Sequence, residues 1–177
     1  MKIEILLVGR GGQGILLLGR VLGVATSKYA NLYVTGVESY TSETRGGESR
    51  VDLIVSDKYE EMDYVKVLNA DIALFMYPYN LMKYSEILKR DAYVFINSTF
   101  IKEHPYTTQK VFMRPYNEIA EKVAGTSRVA NMVALGHIIA KTGVQKAEYV
   151  EKALKEIISE NLYDVNVKAL RAGLELD

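Results

Sequence analysis

The chain has 177 residues, about half of them apolar, and its 22 Lys and Arg balance 22 Asp and Glu to a formal charge of zero. That length suits a single domain with one core, residues 1–177, and the charge balance argues against a nucleic-acid binder, whose phosphate contacts call for net or local basicity. With no cysteine, the chain has no thiolate nucleophile, no disulfide framework and no thiolate ligand for zinc or an iron–sulfur cluster. Its two histidines, His104 and His137, lie too far apart in sequence to suggest a metal site. Every apolar run falls short of the roughly 20 residues of a membrane span. The start, Met1-Lys2-Ile3-Glu4, lacks a signal-peptide layout, so a cytoplasmic protein is expected, with neither membrane nor nucleic acid as a partner.

Residues 3–8 form a continuous apolar run, the pattern of a strand buried on both faces of a parallel sheet. Residues 13–30 read as its crossover helix and 32–37 as the second strand. A polar, glycine-containing loop is expected over 38–47. Residues 49–55 read as a strand with one wetter face, antiparallel to its neighbour because no helix separates it from the second strand. Residues 71–76 are another buried strand, Pro78 opens a helix to Leu88, and 92–96 and 110–113 complete the sheet. Beyond, residues 117–124, 129–141, 146–160 and 163–174 carry helical periodicity, with Thr126, Ser127 and Asn161 as caps. The expected fold is α/β: a Rossmann-like, mostly parallel sheet with helices on both faces, right-handed crossovers and a helical C-terminal part packed on the sheet.

Two segments carry the chemistry. The first is Val8-Gly9-Arg10-Gly11-Gly12-Gln13-Gly14, which fits the G-x-G-x-x-G spacing between a strand and a helix. On that pattern Gly9 permits a tight turn, Gly11 lets backbone approach a ligand, and Gly14 brings the helix close to the strand. Free N–H groups and the dipole of the following helix suit an anion such as a phosphate. Glu38, near the end of the second strand, occupies the place of the acidic residue that binds ribose in dinucleotide folds. The competing reading is that the glycines merely let strand and helix pack.

The second segment is Glu38-Ser39-Tyr40-Thr41-Ser42-Glu43-Thr44-Arg45-Gly46-Gly47-Glu48-Ser49-Arg50. It is dense in hydroxyls and mixed charge and longer than a hairpin turn. In a doubly wound sheet it stands beside the glycine turn, where Arg45 can grip a carboxylate or phosphate in a two-pronged contact. The competing reading is a solvated loop with local Glu–Arg pairs.

Taken in order, these motifs resemble the gamma subunit of the 2-oxoacid:ferredoxin oxidoreductases. Gly-x-Gly-Gly-Gln-Gly matches Gly9 to Gly14. Ser-Tyr-x-x-Glu-x-Arg-Gly-Gly matches Ser39, Tyr40, Glu43, Arg45, Gly46 and Gly47. Ser49-Arg50, the run Ile54 to Asp57, and Asn131-Met132 with Leu135-Gly136 follow. The detail at Arg45 to Arg50 and Met62 to Val67 is most similar to the 2-oxoglutarate branch and less so to the pyruvate branch. Thr41-Ser42 departs from the family's Gly-Pro, and Tyr77, Tyr79 and Tyr84 make their region unusually tyrosine-rich.

The resemblance implies a subunit of an enzyme that oxidatively decarboxylates a 2-oxoacid with coenzyme A and passes electrons to ferredoxin. It implies that this chain holds no cofactor alone and contributes no catalytic acid, base or nucleophile. Thiamine diphosphate and the [4Fe–4S] clusters belong to partner subunits of alpha, beta and delta type. It also sets aside the NAD reading of the glycine turn. The binding residues it suggests are Gly9, Gly11, Gly12, Gln13, Gly14, Ser39, Arg45, Gly46, Gly47 and Asn131, facing the diphosphate of coenzyme A or a partner's backbone. The isolated chain can pair with itself through a surface meant for a partner. The alternative is a stand-alone Rossmann-type nucleotide-binding protein or oxidoreductase. Asn131 is a candidate to hydrogen-bond the glycine turn, His137 reads as a satisfied core histidine, His104 as an exposed loop residue, and Asp52 as an edge-strand charge.

Overall fold

The computed structural model describes residues 1–41 and 47–177; Arg45, Gly46 and the preceding Ser42, Glu43 and Thr44 lie outside the described residues. Six strands form one sheet: β1 (Lys2–Arg10), β2 (Tyr33–Tyr40), β3 (Glu48–Ser56), β4 (Ala70–Phe75), β5 (Leu88–Asn97) and β6 (Lys110–Arg114). Their order is β2-β3-β1-β4-β5-β6. β1, β4, β5 and β6 run parallel, and β3 is antiparallel to both β1 and β2.

The strand cores are apolar on both faces because both faces are covered, though unequally. Leu7, Leu18, Val21, Leu53, Leu74 and Met132 belong to a large cluster on one face. That cluster is roofed by α1 (Ile15–Val24), α3 (Tyr116–Ala124), α4 (Ala130–Thr142), α5 (Ala147–Ile157) and α6 (Glu160–Leu174). Leu6, Val8, Phe75, Val94, Tyr84 and Tyr106 fill a smaller cluster on the other face, which is covered by the short α2 (Leu81–Tyr84), a following 3₁₀ turn and loops.

Several boundaries differ from the sequence reading, each for a local reason. The first helix starts at Ile15 because Gly14 is left-handed (φ 73°) and ends the turn before it; past Val24 it widens into a π-helical segment, Ala25–Tyr29. β2 runs on to Tyr40 instead of yielding to a loop at Glu38, because the β2–β3 ladder continues through Tyr40 opposite Ser49. The helix expected from Pro78 shrinks to α2 and a 3₁₀ turn, Ser85–Ile87, since Asn80 takes a left-handed conformation (φ 52°) ahead of it. Asp52 is not an edge charge. β3 lies inside the sheet, and Asp52 is buried, accepting two hydrogen bonds from the Arg50 guanidinium and one from the Val67 N–H (2.9 Å). The four C-terminal helices stand close to their expected spans.

Two core details have measurable consequences. α4 and α6 cross through glycines: a Cβ on Gly136 would lie 2.1 Å from the Leu170 carbonyl oxygen, and one on Gly173 2.0 Å from that of Val133. His137 is fully buried, with Nδ1 hydrogen-bonded to the Tyr116 hydroxyl (2.9 Å). Among the described residues its Nε2 has no hydrogen-bond partner, so the histidine is only half satisfied. Burial, and then the positive charge of Arg114, lower its pKa to about 4, against a small opposing pull from the Asp177 backbone.

Gly136→Ala is expected to destabilise the chain by about 1–3 kcal/mol in chemical unfolding, because backbone must move to admit one methyl. Gly23→Ala, in a helix interior with open space around it, is expected to stabilise by roughly 0.5–1 kcal/mol. For His137 the folded pKa lies below the unfolded value of 6.5, so the neutral ring's contribution is complete above pH 6.5 and is lost as pH falls towards 4. Unfolding measured across that window should therefore show a shallower pH dependence in His137→Gln than in the parent chain.

Candidate functional site

The chain parts company with itself at the carboxyl ends of β1 and β4. After β1 it enters α1 on the large-cluster face, on its way to β2 and β3. After β4 it turns to the other face through α2, on its way to β5. Two adjacent parallel strands whose connections leave to opposite faces leave a crevice between the loops, and ligands of α/β sheets bind at such a point. Gly9 to Gly14 form one wall of it and the segment from Met76 to Asn80 another.

Gln13 spans this gap. Its Oε1 accepts from the Arg10 N–H (2.7 Å) and its Nε2 donates to the Met76 carbonyl (3.1 Å). The Met76 N–H in turn donates to the Val8 carbonyl (2.8 Å). The turn is thus fixed to β4 by a side chain rather than left as a free loop.

Each glycine has a reason different from the one its spacing suggests. Gly9 is not in a turn; it pairs with Ser49 inside β1, and a Cβ there would strike Ile15 at 2.7 Å. The space at Gly11 is taken by the Tyr40 ring, 2.9 Å from where a Cβ would stand. Gly12, at φ 92°, faces open space. Gly14 approaches α4 rather than the strand. A Cβ would lie 2.2 Å from Asn131 Nδ2, and Asn131 donates to the Gly14 carbonyl (3.2 Å). Asn131 is buried and therefore holds the turn from behind.

The second motif arrives at the same place by an unexpected route. The Gly11 N–H donates to the Gly47 carbonyl (3.0 Å), and a Cβ on Gly47 would collide with the Thr41 carbonyl oxygen at 2.0 Å. The start of the returning strand, at Gly47, is therefore pinned against the glycine turn. Ser39 sits apart, exposed on β2 opposite Arg50. Arg45 and Gly46 lie outside the described residues, so of the suggested set Gly11, Gly12, Gln13, Gly14, Gly47 and Asn131 converge. Glu38 is exposed on β2, and β3 separates it from β1. A dinucleotide fold needs β2 parallel and next to β1, so the ribose-binding role of Glu38 has no geometry here.

Several contributions escaped the sequence reading. The Arg10 guanidinium lies 5.3 Å from the Tyr77 ring centroid, and Tyr77 touches Phe100 at 5.3 Å between centroids. Arg10, Gly12, Tyr77, Phe100 and Asn117 line one open hollow at the crevice mouth. Arg128 lies on the other side of Gly12, with Ser127 and Met76. Behind the wall, Glu48 accepts from Asn80 Nδ2 (2.8 Å) and the Tyr84 hydroxyl (2.6 Å). Burial and then Glu48 raise the Tyr84 pKa, so the phenol stays protonated and the contact holds. The Tyr77-to-Tyr84 stretch was visible only as an excess of tyrosine. His104, half-buried, stacks on Tyr106 and accepts from its N–H (3.2 Å), away from this crevice. Among the described residues no three acidic or histidine side chains gather to hold a metal.

The profile of the pyruvate ferredoxin/flavodoxin oxidoreductase family matches residues 4–176. This chain belongs to that family. It is similar to the 2-oxoglutarate synthase subunit KorC of Methanothermobacter marburgensis, 36% identical over 99% of this chain and 97% of that one. A keto/oxoacid ferredoxin oxidoreductase gamma subunit from Geobacter sulfurreducens superposes with a TM-score of 0.84 and 31% identity, covering 98% of this chain and 96% of that one. A 2-oxoglutarate:ferredoxin oxidoreductase from Magnetococcus marinus, solved with 2-oxoglutarate, coenzyme A and succinyl-CoA bound, shares the fold (TM-score 0.85, 18% identity) over 98% of this chain and 30% of that one. The chain is a gamma-type subunit of a multisubunit oxidoreductase. No described helix is long and apolar enough to cross a membrane.

The Gly14–Asn131 contact makes a quantitative claim. Gly14→Ala is expected to destabilise more beside Asn131 than in an Asn131→Ala background, with a coupling of about 1 kcal/mol or more in a double-mutant cycle. Additive effects would show that the turn is not held from α4.

Proposed function

We propose that this chain, folded as one domain, serves a cytoplasmic oxidoreductase that converts 2-oxoglutarate and coenzyme A to succinyl-CoA and carbon dioxide, with the electron pair passed to ferredoxin. The 2-oxoglutarate assignment is supported by the full-length likeness to KorC chains from several archaea. In this reading the chain has no catalytic acid, base or nucleophile. Partner subunits hold thiamine diphosphate and the [4Fe–4S] clusters; cluster ligation here would lack thiolates, since the chain has no cysteine.

The observation that carries the chain's own role is the convergence of both sequence motifs on one backbone turn. Gly12 leaves the crevice free of a Cβ atom, and Gly12 and Gly14 hold positive φ angles in a turn whose Gly11 and Gln13 N–H groups are bonded to the Gly47 and Arg10 carbonyls. Such a turn at a helix N-terminus, with Arg10 and Arg128 on either side, favours a diphosphate over a neutral group. We assign it the diphosphate of coenzyme A, and propose that Arg45 and Gly46 of the second motif contribute to binding it, whereas Ser39, exposed on β2, stands outside the turn. The reaction needs coenzyme A only after decarboxylation, so this chain acts on acyl transfer rather than on carbon–carbon cleavage.

Purified anaerobically from its source cells, the chain should emerge with larger subunits carrying thiamine diphosphate and iron–sulfur clusters. In that assembled enzyme Arg45→Ala is expected to raise the KM for coenzyme A about tenfold while changing the rate of 2-oxoglutarate decarboxylation little. Recovery as a lone monomer or homodimer, or an unchanged coenzyme A dependence in the variant, would remove the proposal.

A further inference from the structure

The sheet ends in two different ways. β6, at one edge, is five residues long and carries Lys110 and Arg114, charges of the kind that keep another strand away. β2, at the other edge, runs for eight residues without Lys, Arg or Pro, and its ladder with β3 is unbroken from Tyr33 to Tyr40. Its outer row of N–H and C=O groups is therefore regular, unguarded and open to pairing.

A glycine inside such a strand weakens it and marks a place that another backbone approaches closely. Gly36 stands there. On its face of the sheet it lines a groove with Gly19 and Arg20 of α1 and with Val34 and Glu38. Arg20 and Glu38 share that groove, yet neither makes an ion pair among the described residues. On the opposite face Tyr33 meets Tyr59 edge-on (centroids 5.6 Å apart), and the Thr35 hydroxyl donates to the Tyr64 carbonyl (3.4 Å). Tyr33, Tyr59 and Tyr64 are all exposed. The edge thus has an aromatic border on one face and a separated base and acid on the other.

A second copy of the same strand answers both faces. Residues directly opposite in an antiparallel pair point to the same face. A two-fold axis through Val37 therefore sets Val37 against Val37 of the second copy, Gly36 against Glu38, Thr35 against Ser39 and Val34 against Tyr40. The Glu38 carboxylate of each copy enters the space that Gly36 of the other leaves, in the groove that the other's Arg20 lines. Two-fold symmetry makes this contact twice. Such an interface needs a surface complementary to itself, and an acid on the strand beside a base in the groove meets that need.

We infer that β2 is a self-pairing edge, and that in the assembled enzyme two copies of this chain join antiparallel about Val37 so that their two sheets run into one. β3 and β1 lie between this edge and the crevice at β1 and β4, so both crevices stay open. The inference is independent of the ligand assigned to the crevice. Its consequence is that two sets of partner subunits are tied together through this chain.

The test uses the assembled enzyme and a chain that has no cysteine of its own. Val37→Cys puts one thiol of each copy on the axis, where opposite Cβ atoms stand about 5 Å apart. Anaerobic oxidation with diamide should then link two copies of this chain through a disulfide. Thr35→Cys faces Ser39 of the second copy and lies far from its own counterpart, so it should form no such link. A Val37→Cys thiol that stays free, or that links to a different subunit, overturns the inference; the second result would seat another subunit on β2. Equal linkage of both variants overturns the register and the Arg20–Glu38 contact with it. Should Val37→Cys fail to assemble, the charge pair decides the matter. Glu38→Arg and Arg20→Glu should each raise the dissociation constant of the dimer formed by the full chain about tenfold in sedimentation, and the two together should restore it. A full chain that stays monomeric throughout the micromolar range, or a double variant as weak as the single ones, overturns the pairing.

Discussion

The carboxamide of Gln13 joins the two loops that leave the sheet in opposite directions, and the site depends on that bridge. One end of it takes the Arg10 N–H and the other gives to the Met76 carbonyl. The bridge adds to the bond from the Met76 N–H to the Val8 carbonyl, so the segments after β1 and β4 are joined twice although they leave to opposite faces. With it, the backbone from Arg10 to Gly14 is held in a single shape before any ligand arrives. Preorganised backbone donors bind an anion without a further ordering cost.

Two further clamps act on the same turn from independent parts of the chain. Asn131 reaches it from α4, deep in the main core, and Gly47 reaches it from the β2–β3 hairpin. The hairpin clamp follows from the sheet order. Because β3 lies between β1 and β2 and runs against both, its first residues lie beside the last residues of β1, at Arg10 and Glu48. A parallel second strand in that position would have placed a helix on this side of the crevice instead. The one antiparallel strand thus brings Gly47 beside the glycine turn, where a dinucleotide fold would have a parallel strand.

Much of this was legible in the sequence, for reasons that can be stated. The buried strands showed as unbroken apolar runs because both sheet faces are covered. The ordered motifs from Gly9 to Gly14 and from Ser39 to Arg50 pointed to the family, and Asn131 was a candidate partner for the turn. Three things were hidden. The individual duties of the glycines depend on neighbours remote in sequence: Tyr40 at Gly11, Asn131 at Gly14, Thr41 at Gly47. The burial of Asp52 depends on β3 being an inner strand, which alternation along one strand does not reveal. Phe100, Tyr77 and Arg10 lie far apart in the chain and meet only because β1, β4 and β5 are neighbours in the sheet.

Hydrogen exchange of the assembled enzyme, with and without coenzyme A, tests the central claim most directly. If the turn at the divergence of β1 and β4 cradles the diphosphate, the amides of Gly12 and Gly14 should exchange more slowly when coenzyme A is bound. Unchanged exchange there, in an enzyme saturated with coenzyme A, would contradict the account and leave the glycine turn as a packing device alone.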